Sequence, residues 1–345
     1  MVFRNGGKLA KKESWKFNNQ KIEIVNYYKY LGIGLTPTLS LTQHLKEKLS
    51  LSKAAILITY SKIIGNKNVS LSSKYSIFNA VMRAIMSYAA QVWGFQNFVD
   101  VEKINTFFLK KLFNLPINTP HYFLYMETNI KPLYLYTYKL HYVYISRALE
   151  MPQCRLPKIL ATEIIKKKLF WFKEHLSLCN KHGIIVTNYG EQTECLDKLL
   201  NKFYLEFNQK LHNSICNAKF HKLYKELNSD LGVRHYINNS NSADLINVIM
   251  KLRGELFSLN YSVGRSESGY QCALCNTGNI ESVVHFVGLC PVLQEFRIRW
   301  LGKNYLTREE VVNYLNGLYG WQNIYRYTRE AWAYRLFLIR EFNFD

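Results

Sequence analysis

Long apolar runs are missing from this chain of 345 residues. No stretch of about 18 residues is both apolar and free of charge, which argues against a membrane-spanning helix. The opening residues, MVFRNGGKLAKKESW, carry charges and glycines where a secretory signal peptide needs an apolar segment. We therefore expect an intracellular protein, cytoplasmic or nuclear, with no membrane partner.

Cysteine is scarce, and most of the seven cysteines are scattered. Cys154, Cys179, Cys195 and Cys216 stand far apart, which is typical of reduced thiols and not of a disulfide framework. The other three fall in a single segment, YQCALCNTGNIESVVHFVGLCP, with a histidine between them. That concentration requires an explanation of its own.

Acidic residues are also few. There are 25 Asp and Glu against 45 Lys and Arg, which gives a net charge of +20. Such an excess indicates a polyanionic partner, most often a nucleic acid. A codon bias competes as an explanation, because the chain is rich in Lys, Asn, Ile, Tyr and Phe, residues with A- and T-rich codons.

The two basic residue types are distributed unevenly. Residues 1–250 contain 29 Lys and 5 Arg, whereas residues 251–345 contain 2 Lys and 9 Arg. A codon bias would act on both parts alike, so the change indicates two modules under different demands. Arg is favoured where phosphate is bound in a planar, bidentate way and where a cation stacks on a ring.

The apolar pattern predicts a mainly α protein with a small β element at the N-terminus. Residues 15–35 alternate around Asn18-Asn19, which predicts a hairpin and a third short strand ending near Gly32 and Gly34. Helical spacing follows from about residue 40. We predict helices over 41–64, 70–94, 99 to the proline at 116, 131–148, 159–180, 194–226, 244–258, 291–300, 307–316 and 321–340.

Several residues mark helix ends and a domain boundary. Ser70 is a predicted N-cap, Gly94 a predicted stop, and Thr307 with Glu310 has the spacing of a capping box. The segment NSDLGVRHYINNSNSAD is polar and rich in turn formers. We therefore predict four regions: strands in 1–38, helices in 39–227, a linker at 228–243, and a module with the Cys/His segment and C-terminal helices in 244–345.

The Cys/His segment has the spacing of a metal site. Cys272-x2-Cys275 is followed after nine residues by His285 and after four more by Cys290. Two close thiolates, a later His and a later Cys form the tetrahedral donor set of structural zinc. Because protein side chains fill all four positions, no place remains for an activated water. The alternative is three small buried cysteines beside a chance histidine.

The last two ligands can meet only if the backbone changes course between them. On one continuous helix His285 and Cys290 would lie roughly 140° apart. We predict a break permitted by Gly288 and a new helix starting at Pro291, with Cys290 as its N-cap. The positive end of that helix dipole would favour the Cys290 thiolate.

With these features together, the chain resembles the C-terminal part of the polyprotein of non-LTR (LINE-type) retrotransposons. The matching stretches are MVFRNGG, YKYLGIGL, a helix ending in Tyr88-x4-Trp93-Gly94, FLKKLFNLPINTPHYFLYMETNIKPL, KLRGELFSLN and HFVGLCP. The resemblance covers nearly all of the chain and is weakest at 150–240. It implies the end of a reverse-transcriptase palm in 1–38, a thumb and connection in 39–227, and a CCHC zinc knuckle in 244–345.

One departure from the family concerns catalysis. The family's polymerase motif, with adjacent aspartates, lies before the part that this sequence resembles. Polymerisation needs two metal ions held by clustered aspartates, whereas Asp100, Asp197, Asp230, Asp244 and Asp345 are all isolated. We therefore expect no catalytic residue and no polymerase activity. No glycine-rich phosphate loop occurs. We also expect no small-molecule substrate.

The resemblance and the charge together predict a non-catalytic protein that binds RNA or single-stranded DNA, or an RNA–DNA duplex. The candidate contacts are Arg297, Arg299, Arg326, Arg329, Arg335, Lys166, Lys167 and Lys168. The lysine run is more often just a solvated helix face, and the aromatics around Trp332 are more often core than stacking platforms. Two alternatives stay open: part of a full polymerase whose catalytic palm lies upstream, or a degenerate element without present function.

Overall fold

The computed structural model describes residues 1–4, 7–8, 13–96, 98–184, 192–227, 234–238, 240–262 and 269–342. It is mainly helical, with two small antiparallel hairpins near the N-terminus, which confirms the predicted fold class. None of the helices in these ranges has the length and apolar content needed to cross a membrane.

The first hairpin has the predicted turn. Strands β1 (Trp15–Phe17) and β2 (Gln20–Ile22) pair in antiparallel register, and Asn18 and Asn19 both have positive φ. Asparagine tolerates that conformation at two-residue turns, which explains the sequence signal. The predicted single third strand is wrong: residues 28–35 form a second hairpin, β3 (Tyr28–Tyr30) with β4 (Ile33–Leu35). Its turn also uses positive φ, at Leu31 and Gly32.

Fourteen α-helices lie within the described residues: α1 (Thr42–Thr59), α2 (Leu71–Ile77), α3 (Arg83–Met86), α4 (Ala90–Trp93), α5 (Val99–Leu112), α6 (His121–Thr128), α7 (Leu133–Glu150), α8 (Leu156–Lys166), α9 (Phe170–Lys181), α10 (Gln192–Cys216), α11 (Ala243–Arg253), α12 (Gln294–Leu301), α13 (Arg308–Leu315) and α14 (Gln322–Phe342). Wider π-helical turns occur at Tyr60–Ile64, Phe78–Met82 and His285–Leu289.

Predicted helix ends agree with the structure where a side chain caps the backbone. The Ser70 hydroxyl accepts a hydrogen bond from the Ser73 amide, and Thr307 and Glu310 form the reciprocal capping box of α13. Elsewhere the structure differs. The predicted helix at 159–180 is two helices, and that at 70–94 is interrupted at Ala89, which has φ 59°. Helix α6 was missed.

The contacts divide the chain into two compact units that interleave along the sequence. Unit 1 comprises Met1–Thr59, Tyr75–Phe108 and Pro132–Tyr204, and unit 2 comprises Tyr60–Lys74, Leu109–Lys131 and Leu205–Asp345. The boundaries at residues 38, 227 and 243 were placed from the composition of the sequence, whereas these units are defined by contacts in space. The boundaries therefore stay predictions. Residues 228–233 and 239 of the predicted linker lie outside the described part of the chain.

In unit 1, the second hairpin and helix α4 are joined through Tyr88. Its hydroxyl donates to the Leu31 carbonyl at 2.7 Å, and the Trp93 indole donates to the Tyr88 carbonyl at 2.9 Å. Gly94 ends α4 with its backbone against Thr137, where a Cβ would lie 2.1 Å from the Thr137 carbonyl oxygen. Glycine is therefore required at 94 by a close backbone approach and not by an unusual φ.

Candidate metal centre

The four predicted ligands belong to unit 2 and come from three short segments. Cys272 lies beside an isolated bridge between Gln271 and Ile280, and its amide donates to the Asn279 carbonyl at 2.9 Å. This pairing folds the nine-residue loop back on itself. Cys275 follows at the start of that loop, His285 opens a π-helical turn, and Cys290 stands in extended backbone directly after it.

The donor atoms of the four residues converge. All lie within 4.8 Å of one another, with 4.0 Å between the Sγ atoms of Cys272 and Cys290. The Cys275 Sγ lies 3.3 Å from the His285 Nε2. Zinc–sulfur bonds of about 2.3 Å and zinc–nitrogen bonds of about 2.0 Å require S···S and S···N separations of about 3.8 and 3.5 Å in a tetrahedron. The residues therefore fit a zinc ion.

The backbone changes course between the last two ligands, as predicted. The turn ends at Leu289, Cys290 has φ −60° and ψ 119°, and Pro291 begins the short helical turn that leads into α12. The reason assigned to Gly288 is wrong, because the chain stays helical through that residue. A Cβ at Gly288 would lie 2.7 Å from the Leu306 carbonyl oxygen, and its own carbonyl accepts from the Leu306 amide. Close packing is what requires glycine there.

Burial and their mutual hydrogen bond shift the pKa values of the Cys272 and Cys290 thiols. The hydrogen bond to Cys290, followed by burial, raises the pKa of Cys272 to about 12, and the same hydrogen bond lowers the pKa of Cys290. Metal binding at such thiols releases protons, since thiolates are the ligands.

Glu281 is the carboxylate next to the site, and sequence analysis missed it. It is buried, with one oxygen 3.8 Å from the Cys272 Sγ, and it accepts the Asn260 amide at 2.8 Å. Arg335 reaches it from α14 with two hydrogen bonds, at 2.8 and 2.7 Å. A sequence signal existed: Glu281 is the only acidic residue between the first and last ligands, and apolar neighbours follow it.

A second buried arginine, Arg297, contacts the Cys/His site near Cys290. Arg297 donates to the carbonyls of Cys290, Val287 and Asn304. A zinc ion with three thiolates and a neutral imidazole carries one net negative charge. In a zinc-bound site, that charge and the charge of Glu281 would be balanced by Arg297 and Arg335. A buried ion is tolerated only when it is paired and hydrogen-bonded. Arg335 meets both conditions through Glu281, and Arg297 is hydrogen-bonded to three carbonyls.

These contacts correct two of the predicted nucleic-acid residues. Arg297 is 1% exposed and Arg335 is 3% exposed, so neither guanidinium can reach a ligand in solution. Both arginines hold the Cys/His segment in place. Trp332 is likewise packed, against Phe257 and Phe286 with ring centroids 4.8 and 6.0 Å away.

The other three predicted arginines are exposed and lie on α12 and α14. Arg299 pairs with Glu330 at 3.2 Å, and the Arg326 guanidinium lies 5.2 Å from the Trp300 ring centre. Arg329 lies 5.6 Å from the ring centre of Tyr325. We call this surface the α12–α14 face; its members are Arg299, Trp300, Tyr325, Arg326, Arg329 and Glu330.

The predicted lysines lie in unit 1, at the end of α8. Lys166, Lys167 and Lys168 are all exposed, and Lys167 forms an exposed ion pair with Glu163 at 3.1 Å. The structure thus brings the four metal ligands together and places three arginines on one face beside them.

No protein-family model, no curated protein and no solved structure matches the chain. Its function is therefore inferred from the residues and their geometry. Among the described residues, the Cys/His site is the only cluster of His, Cys, Asp or Glu side chains close enough to hold a metal ion.

Proposed function

We propose that the protein binds single-stranded RNA or DNA without catalysing a reaction on it, and that a structural zinc ion orients the binding surface. The observation that supports this proposal most is the attachment of the α12–α14 face to the Cys/His site. Helix α12 begins just after Cys290, and α14 is held through the ion pair of Arg335 with Glu281. The positions of the exposed arginines on both helices therefore depend on the Cys/His site.

The α12–α14 face has the chemistry of a non-specific nucleic-acid surface. Arg326 is already stacked on Trp300, and Arg299 is held by Glu330. Planar guanidiniums bind phosphate in a bidentate way, and ordering them in advance lowers the entropy cost of binding. The net charge of +20 favours a polyanion. The resemblance to non-LTR retrotransposon proteins implies the same class of ligand.

The first test is salt-dependent binding to a poly-U RNA and an oligo-dT DNA. Phosphate contacts release counterions, so log K should fall with log salt by about 0.7 per contact on single strands. Replacing Arg326 and Arg329 with Gln should weaken binding and reduce that slope. Arg308→Gln is the control, since that exposed arginine lies on α13 and is paired with Glu226. Binding that ignores salt, or equal effects of both variants, would refute the proposal.

A second candidate has an observation of its own. Both N-terminal hairpins expose large apolar side chains, and a two-stranded hairpin is marginally stable alone. The exposed residues are Trp15, Phe17, Ile22, Tyr28, Tyr30 and Leu31. Strands of a polymerase palm would cover them. On this candidate the chain is the non-catalytic part of an RNA-directed DNA polymerase, and the catalytic aspartates lie on another segment.

Both candidates predict no polymerase activity from these 345 residues. Asp100 pairs with Lys103 and Asp244 with Lys67, and in the described part of the chain neither belongs to a group of three or more side chains that could hold a metal ion. Primer extension on a poly-A template with Mg²⁺ should give only background. Extension that disappears when Asp100 or Asp244 is changed to Asn would overturn this prediction.

A further inference from the structure

The turn between α8 and α9 presents apolar side chains to solvent. Lys168 and Phe170 have φ of 50° and 46°, a conformation that residues other than glycine rarely adopt. The intervening Leu169 is extended, and its amide donates to the Ile164 carbonyl. As a result Leu169 is 50% exposed and Phe170 is 67% exposed. Strained backbone of this kind is concentrated at functional sites.

Phe170 forms one end of a shallow groove that runs along α9. The groove has a volume of 760 Å³ and is lined by Lys168, Leu169, Phe170, Lys173, Leu176, Ser177 and Asn180. Ligand sites span roughly 300–1,000 Å³, so there is space for a nucleotide. One side of the Phe170 ring is supported by Phe95, with centroids 5.5 Å apart. We call this feature the Phe170 groove.

The charge of the groove has one sign. Its lining contains two lysines and no acidic residue, and neither Lys168 nor Lys173 pairs with a carboxylate within the described ranges. Lys166 and Lys167 extend the positive charge at the end of α8. An apolar ring between unpaired ammonium groups is complementary to a ligand that has flat apolar faces and regularly spaced negative charges.

We propose that the Phe170 groove binds unpaired bases of single-stranded nucleic acid, with Phe170 as the stacking platform and Lys168 and Lys173 on the flanking phosphates. This inference rests on the proposed function and locates part of it in unit 1, apart from the α12–α14 face. Stacking requires a free base face, so the groove selects single strands over duplex. Ser177 and Asn180 supply polar atoms at the other end of the groove without selecting a particular base.

The test compares Phe170→Ala with Phe17→Ala, which removes an equally large ring that is 71% exposed in the same unit. Dissociation constants are measured for oligo-dT and for a mixed-sequence duplex of equal length. Base–aromatic stacking contributes about 1–3 kcal/mol, so Phe170→Ala should weaken oligo-dT binding by about 5- to 150-fold. Duplex binding should change little, Phe170→Trp should restore affinity, and Phe17→Ala should bind like the wild type.

Photocrosslinking of the wild-type protein is an independent check that does not rely on a folded variant. An oligonucleotide carrying 5-iododeoxyuridine should form an adduct on the peptide that contains Phe170. If the wild type binds oligo-dT but Phe170→Ala behaves like Phe17→Ala and no such adduct forms, the groove is not a binding site. If the wild type binds no nucleic acid, both the groove and the proposed function fail. If Phe170→Ala loses the binding to anionic lipid vesicles that the wild type shows, and its oligo-dT binding is unchanged, the groove binds a membrane surface instead.

Discussion

Removing zinc is expected to unfold the Cys/His segment, residues 269–300. Ordering a backbone costs about 1–2 kcal/mol per residue, and between Cys272 and Glu281 the only buried side chain is that of Cys275. A structural zinc ion contributes about 10–16 kcal/mol of apparent binding free energy in small zinc peptides. We therefore expect a bound metal to be the largest single stabilising contribution to this part of unit 2.

The measurement uses the full chain. Purified protein should contain one equivalent of zinc by elemental analysis, and a strong chelator should lower its helicity and expose the segment to proteases. His285→Ala and Cys290→Ser should lose the metal and behave like the chelated wild type. Cys154→Ser is the control, because that exposed cysteine lies outside the cluster. Zinc well below one equivalent, or a protease-resistant segment after chelation, would show that the site does not depend on zinc.

The extent of unfolding depends on contacts that the sequence did not reveal. Helices α11 and α14 pack on each other, and Arg253 of α11 is bound to Glu127. We therefore expect chelation to loosen α12 and α14 first, because Cys290 and Glu281 hold them, while unit 1 stays folded. Hydrogen exchange resolved by peptide distinguishes this order from uniform unfolding.

Glu127→Ala is expected to destabilise unit 2 by several kcal/mol. The carboxylate is fully buried and is bound by Arg253 at 2.9 and 3.0 Å and by Arg234 at 3.3 Å. Tyr224 donates to it at 2.9 Å, and Tyr236 also donates to it. Removing one member of such a pair leaves an unpaired buried charge, which costs about 3–5 kcal/mol. Chemical denaturation followed by tryptophan fluorescence measures the loss.

Two controls separate this effect from general damage. Glu226→Gln breaks an exposed ion pair with Arg308 and should cost less than about 1 kcal/mol. The double variant Glu127→Met with Arg253→Met should recover part of the stability, since it removes both charges. If Glu127→Ala lowers the free energy of unfolding no more than Glu226→Gln does, the buried network does not stabilise the fold.

Acid should weaken the same network. Burial alone would raise the pKa of Glu127, but the charges of Arg253 and Arg234 and the hydrogen bonds from Arg253 and Tyr236 hold that pKa below its usual value. The stabilisation is therefore present above the unfolded pKa of about 4.3 and is lost as the pH falls through the lowered value.

Local features were predictable from the sequence because each depends on residues close together in the chain. The Asn18-Asn19 turn, the Thr307 capping box and the Cys/His spacing are of this kind. Helical periodicity located most helices for the same reason. The break at 167–169 was missed because it depends on a backbone conformation that the residue types there disfavour.

The roles of charged residues could not be predicted in this way. Arg335 and Arg299 look alike in the sequence, yet one is buried against Glu281 and the other is exposed. What separates them is a partner 54 residues away in the chain. Glu127 and Arg253 are separated by 126 residues, and no local pattern marks either as a member of a pair.

That separation has a consequence for synthesis on the ribosome. At about 5–20 residues per second, the 126 residues that follow Glu127, up to and including Arg253, take roughly 6–25 s to emerge. During that interval the segment Leu109–Lys131 cannot complete its core, although the later segment of unit 1 is already available to fold. A nascent chain therefore carries Glu127 and the aromatic residues near it without their basic partner for seconds, and this is the period in which a chaperone would find a binding site there.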